Sequence, residues 1–206
     1  MVGRRLLLFA VAVAVFHHVP SVAGDTAGDW IDLLSPFAVV GAAAGVLVAE
    51  RARGVALAVA LVAAILYVDG HGIHLAANSI GHEDPTGDVE RVTHFWDEEW
   101  GHFEWHLGLF GLLASFGLAA GPDPVSRGVA AAVVLLLGAT FFTSTVEGGT
   151  WWLELVATAV FVPWALRVRR PVLTTCTGAF ALAAVLIGVW AVWHGGVPEF
   201  SDVGWL

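Results

Sequence analysis

The chain is poor in residues that many soluble proteins use for solubility and for chemistry. It has one cysteine, no lysine and one tyrosine among 206 residues, and only 13% of its residues are charged. A single cysteine excludes a disulfide framework and a zinc site built from thiolates. Nine arginines stand against eighteen acidic residues, for a net charge of −9, so the chain lacks the broad basic surface that binds nucleic acid.

Hydrophobic residues make up 58% of the chain, a fraction typical of membrane proteins. A bilayer core about 30 Å thick requires roughly 20 apolar residues in a helix. Windows of this kind lie near residues 5–22, 34–50, 54–80, 101–120, 127–147, 151–167 and 173–194. We therefore expect an all-α, polytopic membrane helix bundle of about seven transmembrane helices, which forms a single integral membrane domain over residues 1–206.

The charged residues indicate the orientation of this bundle. When the chain is threaded back and forth through a membrane, eight of the nine arginines fall on one side, and Arg91 is the exception. Of the acidic residues, only Glu50 and Asp123 share the arginine side. The positive-inside rule then predicts a multi-pass protein of the cell membrane with its N-terminus inside and its C-terminus outside.

The first window also resembles a secretory signal peptide. Arg4 and Arg5 precede an apolar run, and the small residues "SVAG" follow it. Cleavage of residues 1–23 would leave six spans in the same orientation. Both alternatives stay open on the sequence alone.

The histidines are sorted to one side of the predicted membrane. All nine fall in its outer half: His17, His18, His71, His74, His82, His94, His102, His106 and His194. Histidine is largely neutral near pH 7, so the positive-inside rule does not explain this bias. In the third window Tyr67, His71, His74 and Asn78 follow spacings of four, three and four, which place them on one helix face.

A second polar stripe lies on the fourth window. Glu99, His102 and His106 follow spacings of three and four, and Glu98 lies one turn before His102. The third and fourth windows are antiparallel and joined by an outer polar loop of about twenty residues that "EDPTGD" opens, so the two stripes can face each other. Imidazoles and carboxylates that project inward from facing helices form metal sites in bundles. The predicted metal ligands are His71, His74, His102, His106 and Glu99.

The donor set restricts the metal and its chemistry. Imidazole with carboxylate favours zinc, with iron or copper as alternatives, and the lack of thiolates disfavours an iron–sulfur cluster. Zinc with an open coordination position activates water for hydrolysis, and the candidate catalytic bases are Glu98, Glu99 and Glu147. Iron bound by the same kinds of ligand would instead support an oxidase or hydroxylase.

The remaining polar residues have simpler explanations. Solvent exposure accounts for His82 and His94, and a position at the membrane interface accounts for His17, His18 and His194. Asp69 either caps a kink in the helix or accepts a hydrogen bond from the ring N–H of a histidine that binds the metal. Glu154 is either a residue of the interface or a proton carrier, and the sequence does not decide between these roles.

We therefore predict an integral membrane metalloenzyme whose site opens to the outer face and acts on a lipid or another apolar small molecule. A metal or proton transporter is one alternative, although the inner halves of the windows are almost entirely Ala, Val and Leu. A haem-binding redox protein is another. Membrane lipids are the expected partners, and nucleic acid is not.

Two families of membrane metalloenzymes offer a partial resemblance. The span count is similar to that of the seven-span ceramidase and adiponectin-receptor-like hydrolases, but their His-x3-His lies in the last span. Here that spacing belongs to His102 and His106 in the fourth window. The His-x2-His-His boxes of membrane desaturases are missing, so we assign the chain to no family on these motifs.

Overall fold

The computed structural model describes residues 1–23, 25–83 and 86–205. Asp84 and Pro85, which belong to the predicted polar loop, lie outside the described residues, and so does the side chain of His82. Within the described residues the secondary structure is helical and contains no strand. The α-helices are α1 (Val2–Ala23), α2 (Asp25–Ala49), α3 (Val55–Glu83), α4 (Gly87–His94), α5 (His102–Ala119), α6 (Arg127–Glu147), α7 (Trp151–Val168) and α8 (Pro171–His194).

Two further elements complete the chain. A π-helix, Phe95–Gly101, joins α4 directly to α5, and a 3-10 turn, Ser201–Val203, lies near the C-terminus. The outer connection predicted as a loop is therefore largely helical. Its polar helix α4 carries acidic residues in its first turn and Arg91 and His94 in its last, an arrangement that complements the helix dipole.

Local sequence explains several helix ends. The Ser126 hydroxyl accepts a hydrogen bond from the Val129 amide at 3.4 Å and caps the start of α6. Pro171 occupies the first turn of α8, where its missing N–H costs no intrahelical bond. By contrast, α2 begins at Asp25 and not near residue 34, because its polar first turns continue the helix beyond the apolar window.

Six of the described helices are long and apolar enough to cross a membrane, namely α1, α2, α3, α6, α7 and α8. The protein is accordingly a membrane-type helical bundle, as the composition predicts. The remaining predicted span corresponds to α5, which has 18 residues. Its first two turns carry His102, Glu104 and His106, which lower its hydropathy, so a crossing by α5 stays a prediction.

Contacts between helices agree with a chain that threads back and forth. Gly108 of α5 approaches Tyr67 of α3, and Gly101 approaches His74 further along α3, so α3 and the π-helix–α5 segment are antiparallel. Helices α1 and α6 are parallel, since Gly3 lies near Val129 and the His18 ring is 3.3 Å from the Thr140 hydroxyl. The N-terminal ends of α1, α3, α6 and α8 therefore share one side of the bundle, which is the arginine side.

The core of the bundle is aromatic. Phe9 of α1 meets Phe116 of α5 edge-on at 5.0 Å between ring centroids, and Phe141 packs against Phe180 at 5.2 Å. All four side chains are fully buried. Offset and edge-on ring pairs of this kind add to the packing energy of a core and hold α1, α5, α6 and α8 together.

The interface between α3 and α5 depends on glycine at one particular position. A Cβ on Gly108 would lie 2.6 Å from the Tyr67 Cα and 2.7 Å from the Ala63 carbonyl oxygen, both of which are backbone atoms. Backbone cannot move aside as a flexible side chain can. Small residues of this kind let two membrane helices approach closely.

We predict that Gly108→Val lowers the stability of the protein in detergent, by about 1–3 kcal/mol, because the added side chain forces α3 and α5 apart. The measurement is thermal unfolding followed by circular dichroism in maltoside micelles. Gly72→Val is the matched control, since a Cβ at Gly72 has no neighbour within 4 Å. Equal melting temperatures for the two variants would contradict this account of the interface.

Candidate metal centre

A polar cavity of about 370 Å³ lies at the end of the bundle opposite the arginines. The C-terminal ends of α1, α3 and α6 and the N-terminal ends of α2 and α5 surround it. Its lining residues are Phe16, His17, Pro20, Gly28, Asp29, Asp32, His74, Asn78, Glu98, His102, Trp105, Ser144, Glu147 and Gly148. The predicted polar chamber at this end of α3 is therefore present in the fold.

Three potential metal ligands meet at the wall of this cavity. His74 of α3, Asp97 of the π-helix and His102 of α5 each offer a donor atom, and the three donors lie within 4.8 Å of one another. Donors bound to one ion at about 2.1 Å stand roughly 3.4 Å apart in tetrahedral geometry, so small side-chain rotations close the difference. Asp97 and His102 are buried and His74 is half-buried.

The π-helix determines which acidic residue joins the histidines. In a π-helix hydrogen bonds connect residues five apart, and the His102 amide donates to the Asp97 carbonyl. This wide turn places the Asp97 side chain beside the His74 ring, where the carboxylate and Nδ1 are in contact. A regular α-helix would have placed Glu98 or Glu99 one turn before His102, as the sequence spacing predicted.

Glu98 also contacts the cluster. Its Oε2 lies 3.0 Å from His102 Nδ1, and its side chain lines the cavity. Burial alone would raise the pKa of Glu98, but the contact with His102 and the nearby charges of His102 and His74 lower it by more, so the pKa lies below its usual value. Glu98 is therefore ionised at neutral pH and can accept a proton.

Glu99 and Glu147 occupy different places. Glu99 is exposed, lies outside the group of three ligands and lines a separate cavity. Glu147 lines the metal cavity, and its Oε2 accepts hydrogen bonds from the amides of Phe200 at 2.8 Å and Ser201 at 3.3 Å. Glu147 thus holds the C-terminal segment next to the cavity, while its other oxygen remains available for chemistry.

His71 and His106 are buried beside the cluster but belong to other contacts. His71 Nε2 donates to the Asp32 carbonyl at 2.9 Å and ties α3 to α2. His106 Nδ1 is hydrogen-bonded to the Thr150 hydroxyl at 2.7 Å and ties α5 to the connection between α6 and α7. Neither ring supplies a donor to the group of three.

Trp105 lies at the centre of the histidines. Its ring centroid is 5.1 Å from that of His71, 5.5 Å from His74, 5.8 Å from His102 and 5.4 Å from His106. The indole is buried, and it separates the imidazoles that line the cavity from those deeper in the bundle. No local sequence pattern indicates this role, because tryptophan is common both in packed cores and at membrane interfaces.

One glycine fixes the position of His102 from the other side. A Cβ on Gly148 would lie 2.7 Å from both Cγ and Nδ1 of the His102 ring. The connection between α6 and α7 therefore rests against this ring and limits its rotation. Pre-positioned ligands of this kind spare a metal site the entropy of ordering them.

Other polar residues of the outer half lie apart from the cluster. His17 lines the cavity, although the sequence suggested only an interfacial position for it. The His194 ring contacts Trp190, with 4.0 Å between ring centroids, and the His94 side chain is exposed. Asp69 is exposed on the outer surface of α3, whereas Glu154 is fully buried and accepts a hydrogen bond from Thr158 at 3.3 Å.

Comparison of the chain with protein-family models, with curated proteins and with solved structures gives no match. The functional argument therefore depends on the geometry of the site. That geometry is of a membrane-type helical protein in which two histidines and an aspartate lie close enough together that they could hold a metal ion.

We predict that Asp97→Ala, His74→Ala and His102→Ala each reduce the metal content of the purified protein at least tenfold, because each removes one of three donors, and second-shell changes alone cost about 10–100-fold. The measurement is elemental analysis of detergent-purified protein by mass spectrometry. Glu99→Ala is the matched control, two residues from Asp97 in the same π-helix but exposed. Full metal content in Asp97→Ala together with a loss in Glu99→Ala would show that the π-helix does not set the ligand.

Proposed function

We propose that this protein is a membrane-embedded metalloenzyme, a zinc-dependent hydrolase whose site faces the extracytoplasmic side of the cell membrane and acts on a lipid or another apolar substrate. His74, Asp97 and His102 hold the metal ion. The observation that carries this proposal is the convergence of these three side chains at the wall of a polar cavity inside an otherwise apolar bundle. Ionisable groups at such a depth are costly unless they serve a function.

The ligand set favours a catalytic site over a purely structural one. Structural zinc is bound by four protein ligands, whereas catalytic zinc has three and keeps one position for water or substrate. Three donors beside a cavity of about 370 Å³ match the second arrangement. Metal coordination lowers the pKa of bound water to about 7 and so supplies a nucleophile at neutral pH.

Glu98 is the best-placed general base. It lines the same cavity, contacts His102 and is ionised at neutral pH, so its carboxylate can take a proton from a water molecule in the cavity and return it to a leaving group. Glu147 also lines this cavity, but one of its carboxylate oxygens accepts a hydrogen bond from the C-terminal segment. We assign proton transfer to Glu98 and a role in closing the cavity to Glu147.

Iron is the second candidate metal, with oxidase or hydroxylase chemistry in place of hydrolysis. The observation that favours it is the ligand set itself, because two histidines and one carboxylate also bind non-haem iron with open positions. Metal identity distinguishes the two: a purified protein that contains iron and consumes dioxygen would support the oxidase.

Two other functions considered for the sequence fit the geometry less well. A transporter requires ionisable groups along a path through the membrane, but the buried histidine and acidic side chains of the described residues are all at one end of the bundle, namely His71, Asp97, His102, His106 and Glu154. A haem requires space between its axial histidines. The centroids of the His74 and His102 rings are 4.6 Å apart, which leaves no room for a macrocycle between them.

We predict that zinc-loaded protein in maltoside micelles hydrolyses long-chain p-nitrophenyl esters, that chelation abolishes this activity and that added zinc restores it. Glu98→Gln should retain zinc and lower kcat by about 10²–10⁴-fold, because a positioned base contributes a factor of this size. The measurement is the initial rate at saturating ester, with zinc content determined on the same samples.

Glu104→Gln is the matched control for this experiment. Glu104 lies six residues after Glu98, in the first turn of α5. Its carboxylate accepts a hydrogen bond from the Trp100 indole N–H at 3.0 Å and does not line the metal cavity. An unchanged kcat in Glu98→Gln, or activity that survives complete removal of the metal, would reject the hydrolase mechanism.

A further inference from the structure

A second cavity of about 400 Å³ adjoins the metal cavity on its outer side. It lies between the π-helix, the start of α5 and the connection between α6 and α7. Glu98 and Gly148 line both cavities, so the two spaces share a wall. A molecule bound in the outer cavity would therefore be next to the metal ligands.

One wall of the outer cavity is aromatic. Phe103 stacks on Trp152 with 5.9 Å between ring centroids and an interplanar angle of 17°, and Trp100 lies 5.9 Å from Phe103 on the other side. Trp100 and Trp152 are each more than 40% exposed, so their rings are accessible to a ligand. The faces of such rings carry negative electrostatic potential and attract organic cations.

The rest of the cavity is acidic. Glu98, Glu99 and Glu199 line it, and its lining includes one histidine, His94, and no arginine. Burial and the neighbouring carboxylates Glu98, Asp202 and Glu147 raise the pKa of Glu199, and His94 offsets this only in part. Arg91, the arginine on this side of the bundle, is directed to Asp88 at 3.2 Å and is largely exposed.

We propose that this outer cavity binds the cationic amine head group, quaternary or protonated, of an amphiphilic molecule. Aromatic faces and several carboxylates around one space are the combination that recognises alkylammonium ions. An ordinary interfacial belt of tryptophans explains the rings but not the three carboxylates among them. An anionic head group is excluded by the same charges.

The position of the cavity favours an amphiphile over a freely soluble amine. Trp152 and Phe103 belong to the outer turns of α7 and α5, at the level where interfacial aromatic residues meet lipid head groups. A chain attached to the bound head group can then extend along the apolar surface of the bundle. This inference rests on the proposed function, since it names the substrate class of that site, although binding itself does not require metal.

The experiment is displacement of a dansyl-labelled dodecyltrimethylammonium ion from protein in maltoside micelles, followed by energy transfer from tryptophan. Unlabelled dodecyltrimethylammonium should displace the probe, and dodecyl sulfate at the same concentration should not. Choline, which has the same quaternary ammonium group but no long chain, tests whether a freely soluble amine binds equally well. Choline that competes as well as the long-chain ion would overturn the amphiphile and leave a soluble amine as the ligand.

Glu199→Gln and Trp152→Leu should each weaken binding about fivefold or more, because one removes a carboxylate and the other a ring face. Glu90→Gln and Trp193→Leu are matched controls, since both residues are exposed and neither lines the cavity. Equal affinity in wild type and in both cavity variants would overturn the proposal.

Zinc content and probe binding, measured on the same samples with and without chelator, separate this inference from the proposed function. Zinc without amine binding rejects only the substrate class. Amine binding without zinc in the wild type supports the outer site and rejects the zinc hydrolase.

Discussion

The close antiparallel approach of α3 and α5 is the constraint on which the rest of the structure depends. At Gly108 the two backbones are near van der Waals contact, and no side chain fits between them. Further along the pair, this approach brings His74 beside Asp97 and His102. A metal site tolerates errors of only a few tenths of an ångström, so a wider interface would separate the three donors. Packing of small residues in the bundle thus sets the geometry of the polar end.

A group of buried imidazoles in an apolar bundle is stable only if its polar atoms have partners. His71 is bonded to the Asp32 carbonyl, His106 to the Thr150 hydroxyl, and His102 is paired with Glu98. These contacts come from helix α2, from the connection between α6 and α7, and from the π-helix. They therefore stabilise the polar end by joining four segments. His71 Nδ1 and His106 Nε2, by contrast, have no hydrogen-bond partner among the described residues.

In the proposed enzyme, the two adjoining cavities would divide the recognition of a substrate from its chemistry. The inner one contains the candidate metal ligands and Glu98, whereas the outer one has aromatic and acidic walls. Their common wall, Glu98 and the connection at Gly148, also touches His102. A ligand that displaces this wall would move a metal ligand at the same time, so binding at the outer cavity and reactivity at the inner one are mechanically linked.

The sequence by itself determined the helical membrane class, the threading of the helices and the end of the bundle that carries the histidines, because hydrophobic run length and charge asymmetry are local properties. It also placed His74 and His102 on facing helices. It did not predict Asp97 as a candidate ligand. Which of Asp97, Glu98 and Glu99 lies beside the histidines depends on the single wide turn of the π-helix, and no local sequence pattern indicates that turn. Only the tertiary structure decided that turn, the hydrogen bonds of His71 and His106 to other segments, and the central position of Trp105, since each results from how separate helices pack against one another.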